Sequence, residues 1–321
     1  MAAVIDAAST LPEWLQPAYQ SFVQMRAEER LPHALIINCP QGWGETRLAS
    51  IIATQLLETA VRETAAELAH PDLHWLRIEE NSLLYKVAQV REAVGFMQRT
   101  AAGGGYKVIV LPQAQRMNEE SANTLLKSLE EPPAGGLWLL LCSDLGQLLP
   151  TIRSRCQLIS IRPGAASDSG EFIQLLLRES GAEDRWSADA GLIAMLRFEL
   201  GGAPELVAGA ISADEEPIWP ALQAAIANPE SIGDVSQNWQ SRALAELLGA
   251  WLRYVHSILA AQTPEYLDPI DLSAAARGKW FEFAEELTRS RALATRHVGI
   301  NGRLLLDRLL GRWVALFDSR G

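Results

Sequence analysis

The sequence predicts an α/β domain built on a parallel sheet, then a small helical domain, then an all-α bundle. Three observations predict this order. Short apolar runs bounded by turn signals alternate with helical patterns as far as Pro163. Beyond that point only helical periodicity remains. The stretch from His33 to Thr46, HALIINCPQGWGET, reads as a strand, a glycine-bearing turn and a helix start, the layout of a phosphate-cradling loop.

The first element is a helix between Leu11 and Arg30, where Leu15, Tyr19, Phe22 and Val23 recur at helical spacing until Pro32 ends it. Ala34 to Asn38 is a short buried strand. Glu45 to Glu58 is the helix after the loop, with Leu48, Ile51, Ile52, Leu56 and Leu57 on its inner face. Val61 to His70 is rich in Ala and Glu and reads as helical or loosely ordered. Leu73 to Ile78 is a strand, and Val87, Val90, Val94 and Met97 mark an amphipathic helix. Gly103-Gly104-Gly105 is a turn before Lys107 to Leu111, KVIVL, the clearest buried strand. Asn118 is placed to cap a helix whose first turn holds Glu119 and Glu120 and which stops at Pro132-Pro133. Leu137 to Cys142 and Gln157 to Ile161 are further strands. Strands and helices in alternation imply a parallel sheet covered on both faces.

Arg162-Pro163-Gly164-Ala165 reads as a linker. Helical patterns at Glu171 to Ser180, Ala188 to Leu200 and Pro204 to Ile211 form the small domain. Asp214 to Pro220 is a second, acidic boundary, and strong helical stretches follow at Ala243 to Leu259, Trp280 to Thr288 and Arg303 to Phe317. The expected domains are 1–163, 164–212 and 213–321.

Composition narrows the function. The chain has 321 residues, a net charge of -11 and 48% hydrophobic residues, enough for a sizeable core and against a disordered chain. The charge argues against a lone nucleic-acid binder, which would carry a basic face, and leaves room for a subunit that meets DNA inside an assembly. Cys39, Cys142 and Cys156 lie far apart, with no C-x-x-C pair, which fits a reducing cytoplasm and gives neither a zinc ribbon nor a disulfide framework. The start of the chain, MAAVIDAASTLPEW, lacks the basic and apolar regions of a signal peptide, and no apolar run is long enough for a membrane span.

Laid on the pattern G-x-x-x-x-G-K-[ST], the loop fits by half. Gly44 and Thr46 match. Cys39 stands at the first Gly and Glu45 at the Lys, while Gly42 lies within the turn. A carboxylate at Glu45 would repel the phosphates a lysine attracts. At the end of the KVIVL strand, where an ATPase carries Asp and Glu for Mg2+ and the attacking water, the residues are Pro112 and Gln113.

Asn123 to Pro133 reads NTLLKSLEEPP, and Ser154-Arg155-Cys156 follows the strand LWLLLC within LLPTIRSRC. With His33-Ala34, Gly201-Gly202-Ala203-Pro204 and GINGRLLL from Gly299 to Leu306, these runs resemble the AAA+ clamp-loader subunits of bacterial DNA polymerase III over essentially the whole chain. The resemblance implies an AAA+ P-loop-type sheet domain, a helical lid domain and a C-terminal collar domain that holds a five-subunit ring together.

Some subunits of that family hydrolyse ATP, and one serves as a non-hydrolysing stator. Glu45, Pro112, Gln113 and Pro204 replace the lysine, the acidic pair and the second-domain arginine of a working site, so the resemblance implies the stator and no nucleotide cofactor. A divergent ATP-hydrolysing subunit, gamma/tau-like, is the alternative. A paralogue serving other AAA+ partners is a third reading. The resemblance further implies that Arg155, within Ser154-Arg155-Cys156, is an arginine finger offered in trans to a neighbour's nucleotide; the plainer reading is an internal ion pair. Arg153 is a weaker candidate. Implied partners are the gamma/tau ATPase subunits and the clamp-opening delta subunit, with the sliding clamp and primer-template DNA met through the complex. Relatives often carry a four-Cys zinc module, but Leu57 to Trp75 holds no Cys, and His70 with His74 make a poor zinc site, so no metal is expected. No two-metal carboxylate constellation of the polymerase type is visible, so nucleotidyl transfer would belong to the holoenzyme.

Overall fold

The computed structural model describes residues 11–59, 65–66, 68–79, 82–102, 105–163, 169–186, 190–270, 272–296 and 300–318. The expectations for 1–10, for 61–64, for Gly103-Gly104, for Gly164-Ala165, for Ala188 and for Gly299 lie outside the described residues. By backbone contacts the chain divides into two compact units, 1–172 and 173–321.

Among the described residues the first unit carries five strands, β1 (Ala34–Asn38), β2 (Leu73–Trp75), β3 (Lys107–Leu111), β4 (Gly136–Cys142) and β5 (Gln157–Ser160), in the order β2-β3-β4-β1-β5. Every neighbouring pair is parallel, with Leu35 opposite Leu139 and Val108 opposite Leu137. All of β3 is buried, as expected of a strand covered on both faces. Helices α1 (Gln16–Ala27), α2 (Glu45–Leu56), α3 (Val87–Met97), α4 (Glu119–Glu130) and α5 (Pro150–Arg153) complete the layers. Ala34, Ile36, Ile109, Leu111, Trp138 and Leu140 face a core shared with α3 and α4. The alternate residues Leu35, Ile37, Val108 and Val110, pointing to the other face by the strand's period of two, are buried as well.

Local chemistry sets the element ends. The Asn118 side chain accepts the Ser121 N–H at 2.8 Å, capping α4. Pro132-Pro133 stops that helix. The expected strand from Leu73 to Ile78 is regular only to Trp75, although the Leu76 N–H still donates to Val110 at 3.0 Å. Leu57, expected inside, caps α2 and is half-buried, because the chain turns away there. Residues 68–70 carry no helix. At the base of β3, Lys107 pairs with the buried Asp72 at 2.8 Å and lies over the Phe96 ring at 4.2 Å, which gives its charge an anionic partner and an aromatic face.

Helix α6 (Gly170–Glu179) leads into the second unit, followed by α7 (Glu183–Trp186), α8 (Ala190–Glu199), α9 (Pro204–Ser212), α10 (Trp219–Ala227), α11 (Ile232–Asn238), α12 (Leu244–Ala260), α13 (Ala274–Arg296) and α14 (Gly302–Asp318). Among the described residues its apolar side chains gather in two clusters. Ile173, Leu177, Ile193, Leu196, Val207 and Ile211 form one. The other surrounds Trp251, Trp280 and Trp313, with the first two rings 5.8 and 5.4 Å from Trp313, near edge-on.

Glu199, at the end of α8, is 3% exposed and is satisfied from three sides. Its carboxylate accepts N–H from Ile218 at 2.8 Å and Trp219 at 3.1 Å, and the Tyr254 hydroxyl at 2.9 Å. Arg253 donates to its carbonyl at 2.7 Å. One carboxylate thereby ties α8, α10 and α12. Burial raises its pKa, and the two amides and Tyr254 pull it back.

Candidate functional site

The glycine loop follows β1. Cys39 extends the sheet, its N–H donating to Cys142 at 2.9 Å. The turn then needs two left-handed residues, Gly42 at φ 80° and Gly44 at φ 93°. Gly44 has no room for a side chain, since a Cβ there would come 2.6 Å from Leu15 Cδ1. Glu45 opens α2 and is 8% exposed. Its carboxylate turns back into the loop, where both oxygens accept the Gly42 N–H at 3.1 Å and one accepts the Trp43 N–H at 3.1 Å. Burial raises its pKa, while the N–H groups of Gly42, Glu45 and Trp43 lower it. These amides are donors of the kind that a phosphate-binding loop offers to a ligand. By its place in the loop pattern Glu45 is a charge that would repel phosphate. The structure shows a carboxylate folded inward on its own loop. Thr46 is half-buried in the first turn of α2.

The segment before α1 packs on the same loop. Trp14 donates its indole N–H to the Trp43 carbonyl at 2.9 Å and meets the Trp43 and Phe172 rings edge-on at 5.6 and 5.7 Å. The Arg47 guanidinium lies over Phe172 at 5.5 Å. Nothing in residues 11–15 signalled this contact in sequence beyond the Trp14 ring itself.

At the end of β3 the chain is committed to structure. The Pro112 carbonyl accepts the Tyr85 hydroxyl at 2.6 Å. Burial raises the pKa of Tyr85. Gln113 adopts a left-handed conformation, φ 47° and ψ 49°, and starts a short turn of 3-10 helix. Neither residue offers a carboxylate for a metal or a base for water. In the second unit, Pro204 is buried at the first position of α9, where a proline is well placed.

The Arg155 motif lies at the other end of the sheet order. Ser154 caps α5, Arg155 follows, and β5 begins at Gln157. Arg155 Nη2 stands 2.7 Å from Glu130 Oε1. Its Nη1 donates to the Thr151 carbonyl at 3.0 Å and to Ser154 Oγ at 3.4 Å. The structure thus brings the NTLLKSLEEPP and Ser-Arg-Cys motifs into contact, and it contains the internal ion pair that was the plainer reading of Arg155. The Arg155 and Glu130 side chains are 36% and 49% exposed, so solvent and a partner can reach both. Beside them β5 is an outer strand of the sheet, and Leu158 is 47% exposed on it. Cys156 packs against the α3–α4 core, and burial raises its thiol to about 12, so it is a packing residue with little thiolate. Arg153 reaches the Leu145 carbonyl at 3.3 Å.

His70 and His74 serve the fold. His70 Nδ1 accepts the Asp72 N–H at 3.1 Å, and the His74 ring stacks on Phe96 at 5.3 Å. Burial lowers the His74 pKa, with Glu92 opposing. Among the described residues no three His, Cys, Asp or Glu side chains converge as metal ligands. Among them, too, no helix is long and apolar enough to cross a membrane.

Comparison with known proteins agrees with these motifs. The sequence model of the family described as DNA polymerase III, delta subunit, matches residues 14–165. The chain is 29% identical to DNA polymerase III subunit delta' of Pseudomonas aeruginosa over 91% of its own length and 95% of that protein's. It is 32% identical to the subunit of the same name from Escherichia coli over 47% of this chain and 48% of that one. In sequence the chain is thus similar to DNA polymerase III delta' subunits. Among solved structures, a gamma subunit-related protein from Thermotoga maritima shares the fold at TM-score 0.54 and 17% identity, covering 94% of this chain and 99% of that one. The span matched by the family model holds the glycine loop, the end of β3, the α4 motif and Arg155. The likeness to the Pseudomonas delta' subunit reaches well past residue 165, into the helical second unit.

Proposed function

We propose that this chain is the non-hydrolysing stator subunit of a DNA polymerase III clamp loader. It helps load the sliding clamp onto primed DNA and offers Arg155 to the nucleotide of a neighbouring ATPase subunit. The observation that carries this reading is the inward turn of Glu45. The loop amides are taken by the chain's own carboxylate, while a guanidinium of the right kind stands at an exposed sheet edge. Pro112 and Gln113 support the same reading, because metal binding and water activation both need carboxylates they lack.

The assembly we infer is a hetero-pentameric ring with gamma/tau ATPase subunits on one side and the delta subunit on the other. The clamp and primer-template DNA are met through the ring, in the cytoplasm. Residues 1–163, 164–212 and 213–321 act as sheet domain, lid and collar, a division supported by the two separate apolar clusters of the second unit. Ser154 and Cys156 frame the arginine, Ser154 through its hydroxyl and Cys156 through packing.

The test is a loader reconstituted with Arg155→Ala. Hydrolysis at the ATP site that this chain adjoins should slow on the order of 10³-fold, the scale of arginine fingers elsewhere. Single-turnover hydrolysis reads it as loss of that site's contribution, and clamp loading should fall with it. Wild-type rates in both assays would refute the reading.

A further inference from the structure

We propose that Glu130 is the positioning residue for Arg155, holding the guanidinium in the orientation from which it meets a neighbour's phosphate. The inference rests on the reading of Arg155 just given.

The geometry comes first. Both terminal nitrogens of Arg155 are engaged, Nη2 by the Glu130 carboxylate at 2.7 Å and Nη1 by the Thr151 carbonyl at 3.0 Å. Nε and the second Nη2 hydrogen carry no such contact among the described residues, so the group is held and still has donors to give. An arginine side chain loses much rotamer freedom when it is fixed, and a planar fork held in advance loses less on meeting its phosphate.

The second argument concerns where Glu130 stands. It is the last residue of α4, and Glu131 follows as the C-cap. Carboxylates are disfavoured there, because the last helical turn already presents the negative end of the helix dipole. Pro132-Pro133 prevents the helix from continuing past them. A local rule broken at an exposed position calls for a compensating gain. Arg155 is the one ion-pair partner of Glu130 among the described residues. Since Glu130 is 49% exposed, the core does not require it.

The third argument is the coincidence of motifs. The α4 motif and the Ser-Arg-Cys motif lie 25 positions apart at Glu130 and Arg155 and meet at this contact. A positioning pair gives both a single purpose.

The experiment is a double-mutant cycle in the reconstituted loader, read at the ATP site this chain adjoins. Glu130→Ala should slow single-turnover hydrolysis there about threefold to tenfold, the scale of a lost exposed ion pair with some misplacement. ATP affinity at that site should be unchanged, because the nucleotide is bound by the neighbour. Glu130→Gln, which keeps an acceptor without the charge, should fall between wild type and Glu130→Ala. Glu130→Ala combined with Arg155→Ala should be no slower than Arg155→Ala alone. Melting and size exclusion check folding and incorporation of each variant. Wild-type hydrolysis with Glu130→Ala, where Arg155→Ala is impaired, would overturn the positioning role and leave the stator reading standing. A double variant slower than Arg155→Ala would also overturn it. Wild-type hydrolysis with Arg155→Ala would instead refute the stator reading itself.

Discussion

Glu45 and Glu199 are both buried carboxylates, and both are satisfied by backbone N–H groups just before or at the start of a helix. They differ in reach. Glu199, on α8, draws its partners from two further helices, Ile218 and Trp219 at the start of α10 and Tyr254 and Arg253 on α12, so removing it loosens a joint. Glu45 draws its amide partners from a four-residue turn that includes itself. The same chemistry therefore serves a joint between helices in one unit and the closing of a single glycine turn in the other. Burial and hydrogen bonding alone do not distinguish a structural carboxylate from one that blocks a site. What distinguishes Glu45 is its setting, a glycine turn whose amides would otherwise face a ligand.

The largest effect should come from Glu199→Ala. It strands two amides and the Tyr254 hydroxyl in the core, and we expect a loss of about 3 kcal/mol, measured as a lower urea midpoint. A cost near zero would show that water replaces the carboxylate. Glu45→Ala should cost less, about 1–2 kcal/mol, because it strands two amides of a single turn and no hydroxyl. Amide hydrogen exchange at Gly42 and Trp43 should accelerate in that variant, with Ile36 and Ile37 unchanged. Equal exchange in both proteins would show that the carboxylate does not hold the loop.

The smallest effect is a pH dependence. Burial raises the Glu199 carboxyl above the ordinary range, with the Ile218, Tyr254 and Trp219 contacts opposing. A carboxyl raised on folding binds its proton more tightly in the folded chain. The stability this adds is fully present below the ordinary glutamate range and is lost as pH rises through the raised value. The advantage of wild type over Glu199→Gln should therefore be greatest in mild acid and shrink towards neutral pH. Urea titrations across that window measure it, and an advantage that grows with pH would reverse the sign.

Much of this was legible from residues alone. The bounds of β1 and β3 follow from short apolar runs between turn signals, and the Asn118 cap follows from its side chain and two acidic neighbours. The glycine loop, Pro112 and Gln113 are singled out by type and spacing, and Arg155 by the resemblance its Ser-Arg-Cys run carries. The direction of the Glu45 side chain was not legible, because sequence gives its charge and leaves open whether a helix-start carboxylate faces solvent or its own turn. An ion pair for Arg155 was one of the two readings open in sequence, but its partner Glu130 and the Glu199 network were not legible, for a related reason. Each joins residues far apart in sequence, and no periodicity connects them. Glu199 in particular stands at the end of a largely apolar helix, where nothing in its neighbours marks it as buried.

The central claim is that the chain's own carboxylate fills its phosphate cradle and that it acts through Arg155 on another subunit's nucleotide. The most direct measurement is a calorimetric titration of the purified wild-type chain with ATP and Mg2+, followed by a turnover assay on the same sample. The account predicts no saturable heat at millimolar nucleotide and no hydrolysis above buffer. Saturable, Mg2+-dependent binding with turnover would contradict it.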